Sequence, residues 1–298
     1  MKPTQYTTPD FSGQDLFIGI DVHKKHWHVA LHLGQLALKS LSMDPEPETL
    51  LRYLRTHYPG ARYVSGYEAG CFGFWIHERL CALGIENRVV HPADIPTSDK
   101  ERTYKSDRRD AAKLARELAK GNLAGIYIPT PCEQQLRALW RLRFRLVGEQ
   151  TRYKNRIKSF LTFFGYEVPP VRSHWSAAFL EGLRRLDIPD EAGRLVLDHL
   201  IESLLQVRAR IAQLTRQLVR LVPKGPFMLI KTLPGIGSIT ALALYCEVFH
   251  PDRFPSLDQL ASYVGLIPST HSSGSREDPG RLTRRRNRYL RSLLIEAA

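Results

Sequence analysis

Short apolar runs open the chain, and long amphipathic segments follow them. Three runs near the start have the alternation of β-strands: 16–22, 26–33 and 36–43. The first, LFIGIDV, carries an acid, Asp21, next to its last residue, and a turn at Gly34 separates the last two. These runs predict an antiparallel meander, after which helix and strand alternate at 48–57, 61–68, 72–83 and 86–92. This order is typical of a mixed α/β sheet.

Two longer amphipathic segments occupy the middle of the chain. Apolar residues recur at helical spacing over 132–164, with Arg and Lys between them, and at heptad-like spacing over 190–221. Gly165 and Pro169–Pro170 interrupt the pattern. We therefore predict two long helices in an antiparallel hairpin or coiled coil. Packing within one chain and a seam between two chains explain the spacing equally well.

The pattern of residues changes again after Pro223-Lys224-Gly225-Pro226. Residues 227–248 predict two helices joined by LPGIG, and a turn and a further helix come next. A small loop, HSSGS, then precedes an Arg-rich helix. We expect an all-helical C-terminal domain with a helix-hairpin-helix-like element. The predicted domains are thus 1–130 (α/β), 131–222 (helical coiled coil) and 223–298.

Charge and cysteine usage narrow the class of protein. The 298 residues include 43 Lys plus Arg and 30 Asp plus Glu, a net charge of +13 that favours a polyanionic partner such as nucleic acid. The four cysteines are scattered without a C-x-x-C pair, which argues for a reducing compartment and against a structural zinc site or disulfide framework. No apolar run is long enough for a membrane span, so we expect a cytoplasmic protein without a membrane partner.

The segment TYKSDRRDAAKLAREL (103–118) joins acids to bases. Asp107 and Asp110 lie three apart and share a face of the predicted helix, where a hard divalent cation such as Mg²⁺ would relieve their repulsion. Lys105, Arg108 and Arg109 frame them and suit a phosphate polymer. The alternative is an ordinary helix start, in which Ser106 or Asp107 is the cap and Asp110 favours the positive end.

Two more acids follow apolar strands. Asp21 lies near the end of the first strand and Glu68 at the end of a later one. Each alone suits a strand end or a turn. Together with D-x-x-D on a helix, they form the arrangement that a ribonuclease-H-like nuclease needs, with four acids converging at one edge of the sheet.

Basic residues and glycines offer contacts to a nucleic acid. Residues of the first long helix suit a phosphate backbone, although they also suit a solvated helix face: Arg141, Arg143, Arg145, Arg152, Lys154, Arg156 and Lys158. Gly235 and Gly237 of LPGIG would let backbone amides approach a phosphate, or else form a simple turn. Near the serine loop, five arginines would hold a phosphodiester: Arg276, Arg281, Arg284, Arg285 and Arg286. Considered without the rest of the chain, the HSSGS segment is a surface loop without a catalytic role.

The motifs GIDVHK, YEAG, KSDRRDA, LPGIG, YVGLIPS, HSSGSRE and GRLTRRRNRYLR, in this order, resemble insertion-sequence transposases of the DEDD class, the family of the Piv DNA invertase and the RNA-guided bridge recombinases. The resemblance implies a RuvC-like first domain, a helical middle and a C-terminal transposase domain. It implies that Asp21, Glu68, Asp107 and Asp110 bind Mg²⁺ (or Mn²⁺). It also implies that Ser273 attacks DNA, with Ser272 as the alternative.

The resemblance further implies partners. These are double-stranded target and donor DNA, a structured non-coding guide RNA, and other copies of the chain in a dimer or tetramer that shares active sites. Two other functions stay open: a RuvC-like endonuclease that uses water, and an inactive nucleic-acid-binding relic. The chain stops at LLIEAA, where family members run on, so we expect a shortened C-terminal domain.

Overall fold

The computed structural model describes residues 9–96, 106–168, 170, 173–273, 276–283 and 286–298. The chain divides into two compact units, Met1–Ile128 and Pro129–Ala298. None of the helices described is both long and apolar enough to cross a membrane.

The first unit is built on a five-stranded mixed sheet. Its strands are β1 (Asp15–Val22), β2 (Trp27–Leu33), β3 (Leu36–Met43), β4 (Arg62–Glu68) and β5 (Glu86–Val90), and its helices are α1 (Pro47–His57), α2 (Trp75–Ala82) and α3 (Asp107–Ala119). The strand order is β3-β2-β1-β4-β5. The first three strands pair antiparallel, whereas β1–β4 and β4–β5 pair parallel. The predicted mixed α/β sheet is confirmed.

The two faces of this sheet differ in composition. On one face, branched side chains such as Ile18 and Ile20 pack against Leu50 of α1 and Ile76 of α2. The opposite face carries Gly19 and Gly66, which are register partners on β1 and β4. A Cβ on Gly19 would collide with the carbonyl oxygen of Ala111 in α3 and lie 2.5 Å from the Ala115 nitrogen. The backbone of α3 therefore rests directly on the sheet.

The second unit begins with a pair of long helices, α4 (Pro131–Phe164) and α6 (Glu191–Leu221), with the short α5 (Ala177–Arg184) between them. Thr130 and Glu133 form a capping box at the start of α4, and Gly165 ends it in the left-handed region. Ile157 and Leu161 of α4 pack with Leu197 and Ile201 of α6 in one buried cluster. Both long helices are confirmed, whereas α5 was not predicted.

The rest of the second unit contains more than helices. It comprises α7 (Lys224–Lys231), α8 (Ser238–Val248), α9 (Leu257–Val264), a hairpin of β6 (Pro268–Ser273) and β7 (Arg276–Leu282), and α10 (Arg291–Ala297). The prediction of an all-helical C-terminal domain is therefore wrong. Ser272 and Ser273, predicted in a loop, lie in β6, and Arg276 and Arg281, predicted around a helix, lie in β7. Cross-strand pairing overrides the weak strand propensity of these polar segments.

Candidate active site

Three elements bring the predicted acids to one end of the sheet. Ile20 pairs with Tyr67 across the parallel strands β1 and β4, so Asp21 and Glu68 are the next residues along each strand. Because side chains alternate along a strand, both acids belong to the face that carries Gly19 and Gly66. That face is covered by α3, whose first turn contains Asp107 and Asp110.

A histidine links two of the acids. The Nε2 atom of His23 lies 3.2 Å from Asp21 Oδ2 and 3.5 Å from Asp107 Oδ2. One ligand atom from each of these three residues lies within 4.8 Å of the others, close enough for a shared cation. The structure thus brings together Asp21 of β1 and Asp107 of α3, which are 86 positions apart in the sequence.

Among the described residues, neither of the other two predicted acids joins this group at ligand distance. Burial raises the pKa of the Asp21 carboxyl, and the negative charges of Asp107 and Asp110 raise it further, while His23 opposes the shift. Asp110 is therefore close enough to act on Asp21 electrostatically. Glu68 is exposed and adjoins Asp21 by strand register. A carboxylate whose charged form is disfavoured by burial and by neighbouring acids gains most from a bound cation.

Both acids lie in the first turn of α3, the position that an ordinary helix start also requires. Ser106 occupies the N-cap position, but its side chain makes no capping hydrogen bond to the residues described. Asp107 instead faces His23 and His28, with the His28 Nε2 atom 3.8 Å from Asp107 Oδ2.

The histidines beside the acids were missed by the sequence reasoning. His28 is the register partner of Asp21 across β1 and β2, so it belongs to the same face of the sheet. His26 and His28 are two residues apart, the spacing that puts side chains on one face of a strand. The signal was present in the HWH of the second strand, but its register against the first could not be read from the sequence.

The predicted basic residues have different surroundings. Arg108 and Arg109 are exposed at the start of α3, and Lys105 lies outside the described residues. On α4, the Arg143 guanidinium donates a 2.7 Å hydrogen bond to Thr215 of α6, and burial lowers its pKa. Arg143 therefore joins the two long helices.

The other basic residues of α4 lie farther along the helix. Arg152 is exposed and lies 3.5 Å from Glu149, Lys154 lies 5.7 Å from the centre of the Trp175 ring, and Arg156 lies 5.1 Å from that of Tyr153. Such contacts hold the aliphatic stems in place and leave the exposed Arg152 and Arg156 available to a polyanion. Their role in nucleic-acid binding stays a prediction.

The LPGIG turn joins α7 to α8. Gly235 has a φ of 76°, and a Cβ there would collide with the carbonyl oxygen of Ala297 at the end of α10. Gly235 is thus required for the close approach of α10. Gly237 is the N-cap residue of α8. Of the five arginines near the serines, Arg276 and Arg281 lie on β7, Arg286 is exposed, and Arg284 and Arg285 lie outside the described residues.

A buried carboxylate that was not predicted organises this end of the unit. Glu247 of α8 is fully buried and accepts hydrogen bonds from the Arg141 guanidinium at 2.9 and 2.8 Å. The Asn287 side-chain amide donates to the same carboxylate at 3.0 Å, and the Tyr263 hydroxyl donates to the Glu247 backbone carbonyl at 3.0 Å. Arg141, predicted to lie along a nucleic acid, binds this carboxylate and keeps 37% of its side chain accessible.

Two family models match the chain. One, of the DEDD transposases of the IS110 type and described as a transposase, matches residues 18–165. The other, described as the transposase IS116/IS110/IS902 family, matches residues 228–298. The first match contains all four predicted acids, and the second contains Ser272 and Ser273.

Curated relatives agree with these matches. Two proteins of Sinorhizobium fredii described as transposases are similar to the chain: y4qE is 29% identical over 236 residues (78% of this chain, 57% of y4qE), and y4rJ is 35% identical over 256 residues (78% and 63%). The transposase for insertion sequence element IS1111A of Coxiella burnetii is 28% identical over 228 residues (74% and 61%). The chain spans about three fifths of the length of these relatives. It belongs to the IS110 family of DEDD-type insertion-sequence transposases.

Proposed function

We propose that this chain is the DNA transposase of its insertion sequence, a recombinase that cuts and rejoins DNA with an acid cluster and a serine. The observation that carries the proposal is the convergence of Asp21 and Asp107 on His23, at 3.2 and 3.5 Å. The acid cluster is defined as Asp21, Glu68, Asp107 and Asp110. Transposases of the DEDD family generally use divalent metal ions, and Mg²⁺ or Mn²⁺ is the proposed cofactor.

The residues of the acid cluster fit such an ion. Four carboxylates from β1, β4 and α3 would supply the oxygen ligands that hard divalent cations take, and two of them, Asp21 and Asp107, already meet at His23. When bound, the ion would withdraw charge from a phosphate oxygen of the DNA. Asp21, held by His23, fixes the position of one ligand, while Arg108, Arg109 and Lys105 would orient the phosphate chain beside the cluster.

The architecture supports a RuvC-like first domain. Three antiparallel strands followed by two parallel ones, with an acid near the end of the central strand, is the arrangement expected of a ribonuclease-H-like nuclease. Within the second unit we propose a boundary near residue 222, between the long helical hairpin and a C-terminal domain. The α7–LPGIG–α8 segment would then serve as its helix-hairpin-helix-like element, with Gly237 at the N-terminus of α8.

Ser273 is the proposed nucleophile, with Ser272 as the alternative. It is the last residue of β6 and the register partner of Arg276 on β7. In the proposed step, the Ser273 oxygen bonds to phosphorus and loses its proton, while the DNA oxygen it displaces leaves as a hydroxyl and gains one. A second DNA hydroxyl then reverses the exchange, so the phosphodiester is conserved without an external energy source. Arg276, Arg281, Arg284, Arg285 and Arg286 would stabilise the charge on the phosphate.

A structured non-coding RNA is the proposed guide to target and donor DNA. Base pairing by such an RNA would leave the protein to contact backbone and shape, which suits the net charge of +13. We also propose a dimer or tetramer in which the acid cluster of one copy acts with Ser273 of another.

Two substitutions test the function. In strand-exchange assays with donor DNA, target DNA, the proposed guide RNA and Mg²⁺, Asp21→Asn should lower metal-dependent cleavage at least about 100-fold, because it removes a negatively charged ligand of the ion that would withdraw charge from the reacting phosphate. Its DNA binding should persist. Ser273→Ala should abolish both strand exchange and the covalent protein–DNA adduct. Asp44→Asn, at an exposed acid of the same unit, is the control for Asp21→Asn, and Ser272→Ala tests the alternative nucleophile.

Each outcome separates the candidates. Strand exchange at the wild-type rate in both Ser273→Ala and Ser272→Ala contradicts the recombinase proposal. Plain cleavage without an adduct, retained in that variant, supports the endonuclease that uses water. Wild-type protein that binds DNA but does not cut it would support the third candidate, an inactive nucleic-acid-binding relic. Loss of the covalent adduct in Ser272→Ala, but not in Ser273→Ala, would identify Ser272 as the nucleophile.

Mixing the two inactive variants tests the shared active site. If the acid cluster of one copy acts with the serine of another, Asp21→Asn and Ser273→Ala should each be inactive alone and regain part of the wild-type exchange when mixed. Differently tagged subunits, co-purified, establish that mixed oligomers form. Mixed oligomers without any exchange would rule out catalysis across subunits.

A further inference from the structure

We propose that His26, His28 and Asp107 form a second metal site, which takes a transition-metal dication of the Zn²⁺ class rather than Mg²⁺. We call it the histidine site. It does not depend on the proposed recombination. It lies beside the acid cluster and shares Asp107 with it, but its two other ligands are imidazoles that no predicted role has used.

Strand geometry assembles the histidine pair. His28 lies in β2, and His26 directly precedes that strand. The two residues are separated by Trp27, whose side chain is 1% exposed and points into the apolar core on the other face. The buried Trp27 therefore fixes the direction of both neighbours, and the two imidazole rings meet edge to face with centroids 4.9 Å apart.

The third ligand comes from α3. Asp107 Oδ2 lies 3.8 Å from His28 Nε2, and one ligand atom from each of His26, His28 and Asp107 lies within 4.8 Å of the others. Ligand atoms about 2.0–2.2 Å from a tetrahedral ion are roughly 3.4 Å apart, so atoms at the 4.8 Å limit must approach one another by about 1.4 Å, and the His28–Asp107 pair at 3.8 Å by about 0.4 Å. His26 is exposed and half of the Asp107 side chain is accessible, which leaves both free to turn inward.

The ligand set selects the metal. Two neutral imidazoles and one carboxylate suit Zn²⁺ or Co²⁺, whereas Mg²⁺ and Mn²⁺ favour oxygen ligands. Three protein ligands leave a fourth position open, as in catalytic rather than structural zinc sites. The exposed side of His26 is where a water or a phosphate oxygen would complete the coordination.

Sharing Asp107 has a direct consequence. An ion in the histidine site withdraws one carboxylate oxygen from the acid cluster and adds two positive charges next to Asp21. The histidine site should therefore weaken Mg²⁺ binding at the acid cluster, so that Zn²⁺ and Mg²⁺ compete although their other ligands differ.

The test measures binding, not activity. Metal-stripped protein without a histidine tag is titrated with Zn²⁺ in excess Mg²⁺ by calorimetry, and with Co²⁺ by visible absorption. His26→Ala and His28→Ala should each lower Zn²⁺ affinity at least about tenfold, since even a residue that only supports a metal ligand costs that much. Asp107→Asn should do the same. His199→Ala, at an exposed histidine on α6, is the control and should leave the affinity unchanged.

The contrary results are equally specific. Zn²⁺ affinity that falls in Asp107→Asn but not in His26→Ala or His28→Ala would put the ion on the acids alone and overturn the proposal. A weak Co²⁺ spectrum typical of six oxygen ligands would do so as well. X-ray absorption of the zinc-loaded wild type gives the answer without any substitution, because imidazole nitrogens produce multiple-scattering features that carboxylates lack.

Discussion

Gly19→Ala is expected to destabilise the first unit by about 3 kcal/mol, the upper part of the range for overpacking a core. A Cβ at this position meets the carbonyl oxygen of Ala111, the backbone nitrogen of Ala115 and the Cβ of Leu114. Backbone atoms of a helix cannot rotate away as a side-chain tip can. The whole of α3 must shift, and Asp107 and Asp110 shift with it, so the variant should also lose affinity for Mn²⁺.

The measurement is urea unfolding, with hydrogen exchange of the β1 and α3 amides to assign the loss to the first unit. Gly125→Ala is the matched control, because its Cβ would meet Arg88 only at the ordinary distance of 3.7 Å and its φ is not in the left-handed region. It should change the free energy of unfolding by less than about 0.5 kcal/mol. Equal stability of the two variants would show that α3 does not rest on Gly19.

Glu247→Ala is expected to destabilise the second unit by about 3 kcal/mol, the lower end of the range for breaking a buried ion pair, because Glu247 is fully buried whereas Arg141 keeps 37% of its side chain accessible and can be partly hydrated. The Arg141 guanidinium would lose a bidentate partner, and the Asn287 amide would lose its acceptor. Glu247→Gln, which keeps the shape and one acceptor oxygen, should fall between Ala and the wild type. Hydrogen exchange of the α8 and α9 amides should rise in the same order.

Glu181→Ala is the control for Glu247→Ala. Glu181 pairs with Arg185 at 3.0 Å, a distance comparable to the Glu247 pair, but both side chains are largely exposed. Its loss should cost no more than about 1 kcal/mol, as for other surface pairs. If both substitutions cost the same, burial does not determine the strength of the Glu247 cluster.

Much of the first unit could be predicted from the sequence, because its strands alternate regularly and its acids follow apolar runs. The pairing of Gly19 with Gly66, which admits α3 to the sheet, could not, since it depends on the register of strands over 40 residues apart. The histidine site was missed for the same reason. Its third ligand, Asp107, is contributed by a helix about 80 residues farther along the chain. The local sequence pattern does not indicate that this helix packs beside the histidines.

The second unit was less predictable. The spacing of apolar residues predicted the long helices α4 and α6, and Gly165 predicted where α4 ends. The hairpin β6–β7 is polar along its length, so neither alternation nor propensity indicated strands. Glu247 sits in an apolar helix as a single acid, and its partners Arg141, Tyr263 and Asn287 come from three separate segments.

The attachment of the hairpin restricts how Ser273 can travel. The Asn287 backbone nitrogen donates to the Tyr263 carbonyl at 3.0 Å, and the Thr283 nitrogen donates to the Ile267 carbonyl at 3.3 Å, so the chain before β6 and the chain after β7 are tied together. Both strands thus start from a base that these two hydrogen bonds hold together. A displacement that carries Ser273 toward a substrate must therefore move the hairpin as a rigid body or break these two hydrogen bonds.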